Sequence, residues 1–440
     1  MNRLITTFKN IFAIDELRSR ILNTLLFITA FRLGSAIVLP GVDPNKLNLN
    51  PQGLLGLLDT FLGGAFSKAS IFALGIMPYI SASIAIQLLT LALPYFQKMQ
   101  KEGESGRKRL NQITRILTIG VTAVQAITYV NTTIPQEALL IDRGLFTISS
   151  LFILTSGTIF CMWLGERITD KGIGNGISMI IMIGIVSRLP GAIIGEAQSR
   201  GSSGVLLFVL ELVALYFVVM GAVVLTQAVR RIPIQYAKQV IGNKVVGGQR
   251  QYLPLKLNAA GVMPIIFAQA LMFIPGYVAQ LFADKSDFAA SVQNAFASYT
   301  SWQYNVLFAL LIIVFTFFYT AISVNPNQIA DDMKRSGGFI PGVKPGIQTS
   351  DYIGTVLDRI TLPGGIMLAI VAILPAIANL FGMTSGFAQF FGGTSLLIMV
   401  GVVLDTLQQV ESYLLMRRYE GLMKSGRVQG RTTSETAAIA

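Results

Sequence analysis

Ten stretches of the chain are predominantly apolar over about the 20 residues that a helix needs to cross a hydrocarbon core. They lie near residues 21–39, 71–93, 113–131, 146–165, 176–194, 205–228, 259–281, 304–324, 360–381 and 392–414. The pattern predicts an all-α, polytopic membrane fold of ten transmembrane helices. Prolines fall inside several spans: Pro78 in the second, Pro264 and Pro275 in the seventh, Pro363 and Pro375 in the ninth. Each frees a carbonyl one turn back and predicts a kink. A further stretch, LLDTFLGGAFSKAS from Leu57 to Ser70, is partly apolar, too short to cross, and broken by Gly63 and Gly64. Irregular backbone at membrane depth is tolerated only inside protein or beside water. With Asp59 and Lys68 near its ends, the segment is either re-entrant or an amphipathic stretch on the outer face, and the pattern does not choose.

Composition agrees with a membrane solvent. Of 440 residues only 13% are charged and the mean hydropathy is +0.62, against about a quarter charged in soluble domains. One membrane domain over 1–440 is the expectation. The single cysteine, Cys161, stands in an apolar run and reads as a small buried hydrophobe. The chain has no histidine, which removes the commonest general base and the commonest metal ligand. No catalytic residues, no metal site and no cofactor are expected. Met1 to Arg20 is polar and contains Asp15 and Glu16, which suits neither a cleaved signal peptide nor a transit peptide.

Charge orients the bundle. Counting Arg115, at the start of the third span, with the loop before it, the N-terminus, the even-numbered loops and the C-terminal tail hold 27 Lys and Arg. The odd-numbered loops hold 5: Lys46, Lys68, Arg143, Arg200 and Lys285. Arg32 and Arg188 fall inside spans. Positive charge collects on the cytoplasmic side, so both termini are expected there. The net charge of +12 is then first a topology signal, with anionic lipid or a partner as a second use of the same charges. Two cytoplasmic loops exceed what orientation requires. Residues 229–257 carry Arg230, Arg231, Lys238, Lys244, Arg250 and Lys256 without an acid, and residues 325–356 carry Lys334, Arg335 and Lys344 among glycines and prolines. Loops of this length usually carry function; the alternative is solvated connectors.

Some spacings are suggestive without being specific. Ile80, Ile84, Gln87 and Leu91 share one helical face, as do Ile181 and Ile185, and Ile266 and Gln269 stand three apart. Isoleucine in a span is ordinarily lipid-facing or packing. Gln87, Thr90, Gln125 and Gln269 are polar groups within spans; they form either a polar seam or ordinary interhelical hydrogen bonds. KGIGNGIS has no preceding strand and no GK[ST] ending, so it is read as a tight turn and not a phosphate loop.

Taken in order, GIMPYISASI, KEGESGRK, WLGERITDKGIGNGIS, RRIPIQYAK, SVNPNQIADDMKRSGGFIPGVKPG and GGTSLLI resemble the SecY family, the channel subunits of the Sec protein translocase, over essentially the whole chain. The resemblance implies a polypeptide-conducting channel in a bacterial cell membrane. It would be built from two inverted halves, about 1–194 and 205–414, with a tail over 415–440. Unfolded secretory chains would cross it, and membrane segments would leave sideways into lipid. By motif, the pore ring would be Ile80, Ile84, Ile181, Ile185, Ile266 and Ile398. The plug would span Leu57 to Ser70, including Asp59, Phe61, Gly63, Gly64 and Phe66, and the lateral gate would use Gln87, Thr90, Gln125 and Gln269. Implied partners are small SecE-like and SecG-like membrane subunits, the motor ATPase SecA, the ribosome, signal peptides and unfolded preproteins. The basic loops, with Arg230, Arg231, Lys238, Lys244, Arg250, Lys334, Arg335 and Lys344, would dock the motor or ribosome. The usual PG-x-R-P-G reads PGVKPG here, so Lys344 keeps the charge but not the bidentate fork of arginine. The competing class is a secondary solute transporter, which usually needs an intramembrane carboxylate; Asp405 and Glu411, both in the cytoplasmic half of span ten, are the candidates. A non-conducting insertase or scaffold is a third class, and it has no need of an isoleucine ring. The chain has no P-loop of its own, so energy would come from a partner.

Overall fold

The structure is a computed structural model that describes residues 14–47, 59–201, 204–236, 239–241, 244–246, 250–269, 271–272 and 300–424. The helices are α1 (Asp15–Ala36), α2 (Met77–Ala92), α3 (Pro94–Lys101), α4 (Glu104–Thr133), α5 (Arg143–Lys171), α6 (Gly176–Arg200), α7 (Val205–Gln227), α8 (Trp302–Ser323), α9 (Pro326–Arg335), α10 (Ile347–Leu380) and α11 (Gly393–Lys424). Among the described residues seven helical stretches are long and apolar enough to cross a membrane. The helices α2 and α3 pass the same test only as a pair, bent by 102° at the break between them. The turn falls where Pro94 forces Leu93 out of the helical region, to φ −110° and ψ 123°. The first expected span is α1, which is diluted by Asn23, Thr24, Thr29, Arg32 and Ser35 and is not among the seven. Of the seventh expected span, residues 259–269 and 271–272 are described, helical from Met263, and residues 270 and 273–281 lie outside the described residues.

The chain divides into two compact units. Unit 1 comprises Met1–Leu49, Gly64–Ile183 and Val402–Ala440. On α4, Thr114, Thr118 and Thr122 are buried one turn apart, and each hydroxyl donates to the carbonyl four residues back. A polar residue can thus face a packed interior without an unpaired donor. The glycine turn between α5 and α6 is held from two sides. The Ile173 N–H donates to Thr24 Oγ1 at 3.0 Å and the Gly174 N–H to Gln409 Oε1 at 2.8 Å. A Cβ on Gly176 would lie 1.9 Å from the Gly165 carbonyl oxygen, so glycine is what lets the two helices close at this turn.

Unit 2 comprises Asn50–Gly63 and Gly184–Gly401. Its far end of α6 is braced by charge. Arg200 donates to Glu196 at 2.9 Å and to Glu211 of α7 at 2.6 Å, while Glu196 also accepts the Thr384 N–H at 2.8 Å. Both carboxylates are buried, and such groups persist in an interior only when paired.

The sixth loop departs from the all-α expectation. It forms strands β1 (Val229–Tyr236), β2 (Gln239–Ile241), β3 (Lys244–Val246) and β4 (Arg250–Lys256), and β5 (Gly338–Phe339) from the eighth loop joins them in the order β4-β1-β5. Along β1, Ile232 and Ile234 point inward and Arg231 and Pro233 outward, the period of two that a half-buried strand needs. At Pro233 the strand has a neighbour on one side only, because β5 borders β1 at Gln235 and Tyr236; a strand admits proline under that condition. Ile232, Ile234, Leu255, Met333, Ile340, Ile353 and Leu357 form the core beneath this sheet.

Candidate functional site

The stretch from Asp59 to Ser70 is buried protein interior. Of its residues Lys68 alone is exposed, and Asp59, Ala65, Ala69 and Ser70 have no accessible surface. That burial is not what an exposed amphipathic surface segment would show. Gly63 and Gly64 both have positive φ, +63° and +88°, a conformation that side chains other than glycine rarely adopt. The backbone there is a run of turns without a regular element. Leu57 lies outside the described residues.

Within unit 2, residues 59–61 are helical and are seated on α6 and the 389–395 loop. The Asp59 carboxylate forms an ion pair with the Arg188 guanidinium. The Thr60 hydroxyl donates to Gln389 Oε1, and the Gln389 carbonyl accepts Ser395 Oγ at 2.8 Å. A Cβ on Gly184 would stand 2.2 Å from the Phe61 carbonyl oxygen, so the backbone of the segment lies directly against α6 where that helix has no side chain.

Within unit 1, Tyr129 of α4 donates its hydroxyl to the Phe66 carbonyl at 2.7 Å, and the two rings meet edge to face at 4.7 Å. The Leu39 N–H donates to the Ala69 carbonyl at 2.8 Å, and the Ile71 N–H to the Ile37 carbonyl at 2.9 Å. Phe72 stacks on Phe31 and Phe160. The far side of the segment is therefore fixed by backbone bonds and aromatic packing.

The six isoleucines divide evenly. Ile80 and Ile84, half-buried on α2, and Ile181, buried on α6, belong to unit 1; Ile185 on α6 and Ile398 on α11, both buried, and half-buried Ile266 belong to unit 2. Of the four polar gate candidates, Gln87, Thr90 and Gln125 are in unit 1 and Gln269 is in unit 2. Gln87 is exposed and reaches Ser83 at 3.4 Å; Thr90 is buried and donates to the Ile86 carbonyl at 2.7 Å; Gln125 is half-buried. Gln269 is buried and accepts Thr394 Oγ1 at 3.2 Å. It borders a cavity of ≈ 40 Å³ with Tyr304, Asn305 and Gln389, room for water in a polar setting.

The two basic loops come together. Arg230, Arg231, Lys334, Arg335 and Lys344 are all exposed on or beside the β4-β1-β5 sheet. Lys244 and Arg250 lie in β3 and β4, and Lys238 lies outside the described residues. Asp405 and Glu411 are exposed. Among the described residues the buried carboxylates are Asp59, Glu196 and Glu211, and each lies on an arginine. Each thus has an arginine counterion, and Glu211 holds Arg200 through Oε1 alone, its buried Oε2 having no hydrogen-bond partner among the described residues.

Sequence reasoning noted Asp59 and Arg188 separately and missed their pairing. A signal was present: Ile181, Ile185 and Arg188 follow i, i+4, i+7 on one helical face, and an arginine inside a span needs a counterion. It missed Gly184, Thr60 and Gln389 for want of any local pattern.

A family model described as SecY matches residues 70–407. The chain is 43% identical over 434 residues to the protein translocase subunit SecY of Halalkalibacterium halodurans, an alignment covering 95% of this chain and 99% of that one. Among solved structures, one described as the structure of a protein conducting channel is similar over 90% of this chain and 92% of its own, with a TM-score of 0.64 at 17% identity. Canine Sec61 in a ribosome–channel complex from the endoplasmic reticulum is similar over the same shares, with a TM-score of 0.60 at 16% identity. The structural likeness carries the fold; the sequence likeness carries the family.

Proposed function

The chain belongs to the SecY family of protein translocase subunits, and from that premise we propose that residues 57–70 are the plug that closes its protein-conducting channel at rest. The observation that carries this reading is the burial of a glycine-broken segment seated by side chains on one side of Gly63 and Gly64 and by backbone bonds on the other. The chain is a multi-pass membrane protein and not an enzyme. Ile80, Ile84, Ile181, Ile185, Ile266 and Ile398 form the constriction in this proposal. Branched apolar side chains offer a passing polypeptide no fixed charge to bind, and they leave an empty gap too dry for ions. Gln87, Thr90, Gln125 and Gln269 mark the seam through which signal peptides and membrane segments of unfolded preproteins pass into lipid.

The exposed basic sheet is the docking platform for a cytoplasmic energy source, the SecA motor or a translating ribosome; canine Sec61 is found with a ribosome. SecE-like and SecG-like subunits complete the complex in a bacterial cell membrane, and anionic lipid neutralises the cytoplasmic rim. The test is deletion of residues 57–67 from the purified complex, followed by single-channel conductance in planar bilayers. Normal accumulation with a raised resting conductance is the expected outcome; wild-type conductance would make the segment a structural connector.

A further inference from the structure

Arg188 sits inside α6, on the face that Ile181 and Ile185 share. A charge at that depth is expensive and is retained when it has a task. Its guanidinium holds Asp59, whose side chain is 0% exposed, whereas 34% of the Arg188 side chain is accessible. Two other contacts seat the same short stretch: Thr60 on Gln389, and the Phe61 backbone against Gly184. These three restraints differ in kind. A neutral hydroxyl or carbonyl that leaves its partner for water changes little in net free energy. Separating a buried ion pair leaves two charges to be solvated at once, and a buried pair is weakly screened by salt. Of these three contacts, the ion pair is therefore the one that most resists separation when residues 59–63 leave α6.

We propose that Asp59 and Arg188 form an electrostatic latch that sets the opening threshold of the channel and, through it, the stringency with which signal sequences are accepted. The proposal rests on the reading of residues 57–70 as the plug. An entering signal segment opens the channel with its own binding free energy. The latch withdraws a fixed part of that energy, so weakly bound signals fail and strong ones pass. Asp59 and Arg188 are positioning residues in this scheme, acting on the transported chain through the segment they hold.

The unequal exposure of the two side chains makes the proposal directional. Without Asp59, Arg188 can turn its accessible third toward water. Without Arg188, the Asp59 carboxylate loses its cationic partner while its side chain has no accessible surface, and hydration of that carboxylate favours release of its segment. Arg188→Gln is thus the more severe single change.

The experiment compares Asp59→Asn, Arg188→Gln, the exchange Asp59→Arg with Arg188→Asp, and the deletion of residues 57–67. The readouts are resting open probability in planar bilayers and export of a substrate with a defective signal sequence. Expected is a rise in open probability of at least about tenfold for Asp59→Asn, more for Arg188→Gln, and a return to within about threefold of wild type for the exchange. Export of the defective substrate follows the same order. Asp59→Asn is isosteric and lies in the segment itself, so it keeps the test open should Arg188→Gln fail to accumulate. Singly substituted channels as tight and as selective as wild type would overturn the latch. So would an exchange as leaky as the single changes, because the contact would then be packing and not charge. A deletion that leaks while the single variants stay tight sinks the latch alone; a tight deletion sinks the plug reading itself.

Discussion

A methyl group on Gly184 would stand 2.2 Å from the Phe61 carbonyl oxygen, whereas one on Gly195, three turns along the same helix, would meet nothing within 4 Å. The two positions separate close approach from helix propensity. Alanine is worth up to about 1 kcal/mol over glycine in a helix interior, so Gly195→Ala is expected to be neutral or slightly stabilising. Gly184→Ala forces the segment off α6 at an overpacking cost of about 1–3 kcal/mol. Resting conductance should rise in Gly184→Ala and stay at the wild-type level in Gly195→Ala; equal behaviour of the two would mean that the backbone approach has no part in closure. The isoleucines test a different property of single residues. Ile84 and Ile266 are both half-buried, and replacing both by Asn puts hydrogen-bonding groups where the constriction is proposed to be dry. Ion leak and export of signal-defective substrate should increase together, while single Ile→Val changes, which remove one methyl, should do little. An ion-tight double variant would return these residues to ordinary packing.

At the scale of elements, the long helices were legible because lipid demands some 20 apolar residues in a row, and α4, α5, α6, α7, α8, α10 and α11 all coincide with predicted spans. The second span was legible in position but not in its 102° turn, although Pro94 stood at the break. The sheet was not read at all. Its strands carry a two-residue alternation for only a few positions, and β5 is two residues donated from a loop a hundred residues away; register of that kind is a tertiary fact. What the two basic loops do locally therefore changes with the structure. Instead of two separate connectors they form one platform around the Ile232, Ile234 and Met333 core, with Arg335 and Lys344 exposed on the eighth-loop side. Exposed charges contribute little to stability, typically below about 1 kcal/mol, so Arg335→Glu with Lys344→Glu should insert and accumulate normally. Motor-driven or ribosome-coupled export should fall several-fold, with resting conductance unchanged. Normal export by the accumulated double variant would move docking elsewhere. The site itself was half legible: the segment, its glycines and Asp59 were visible in sequence. The partners that seat it, Gly184, Arg188, Gln389 and Tyr129, lie from about 60 to 330 residues away and carry no local mark of the contact.

At the scale of the whole molecule the strongest constraint is the 27 to 5 division of Lys and Arg, because positive charge resists transfer across the membrane during insertion. The charges that fall near the ends of α4 and α5 agree with it. Arg115 pairs with Glu166 at 2.6 Å near the end that joins the basic second loop, and at the other end Arg143 donates to the Asn131 carbonyl at 3.1 Å. A charge at either level is thus held by a neighbouring helix, and the asymmetry that remains lies in exposed residues such as Arg107, Lys108 and Arg109. Cys161 is fully buried, and its replacement by Ala clears the chain of thiols at the cost of one small cavity. In that background single cysteines at Lys108, exposed in the first turns of α4, and at Glu137, exposed just beyond its other end, report the two sides of the membrane. A membrane-impermeant maleimide added to intact cells should label Glu137→Cys and leave Lys108→Cys unlabelled until the membrane is opened. The reverse pattern would invert the orientation and place the basic sheet, with its proposed docking role, outside the cell and out of reach of any cytoplasmic motor.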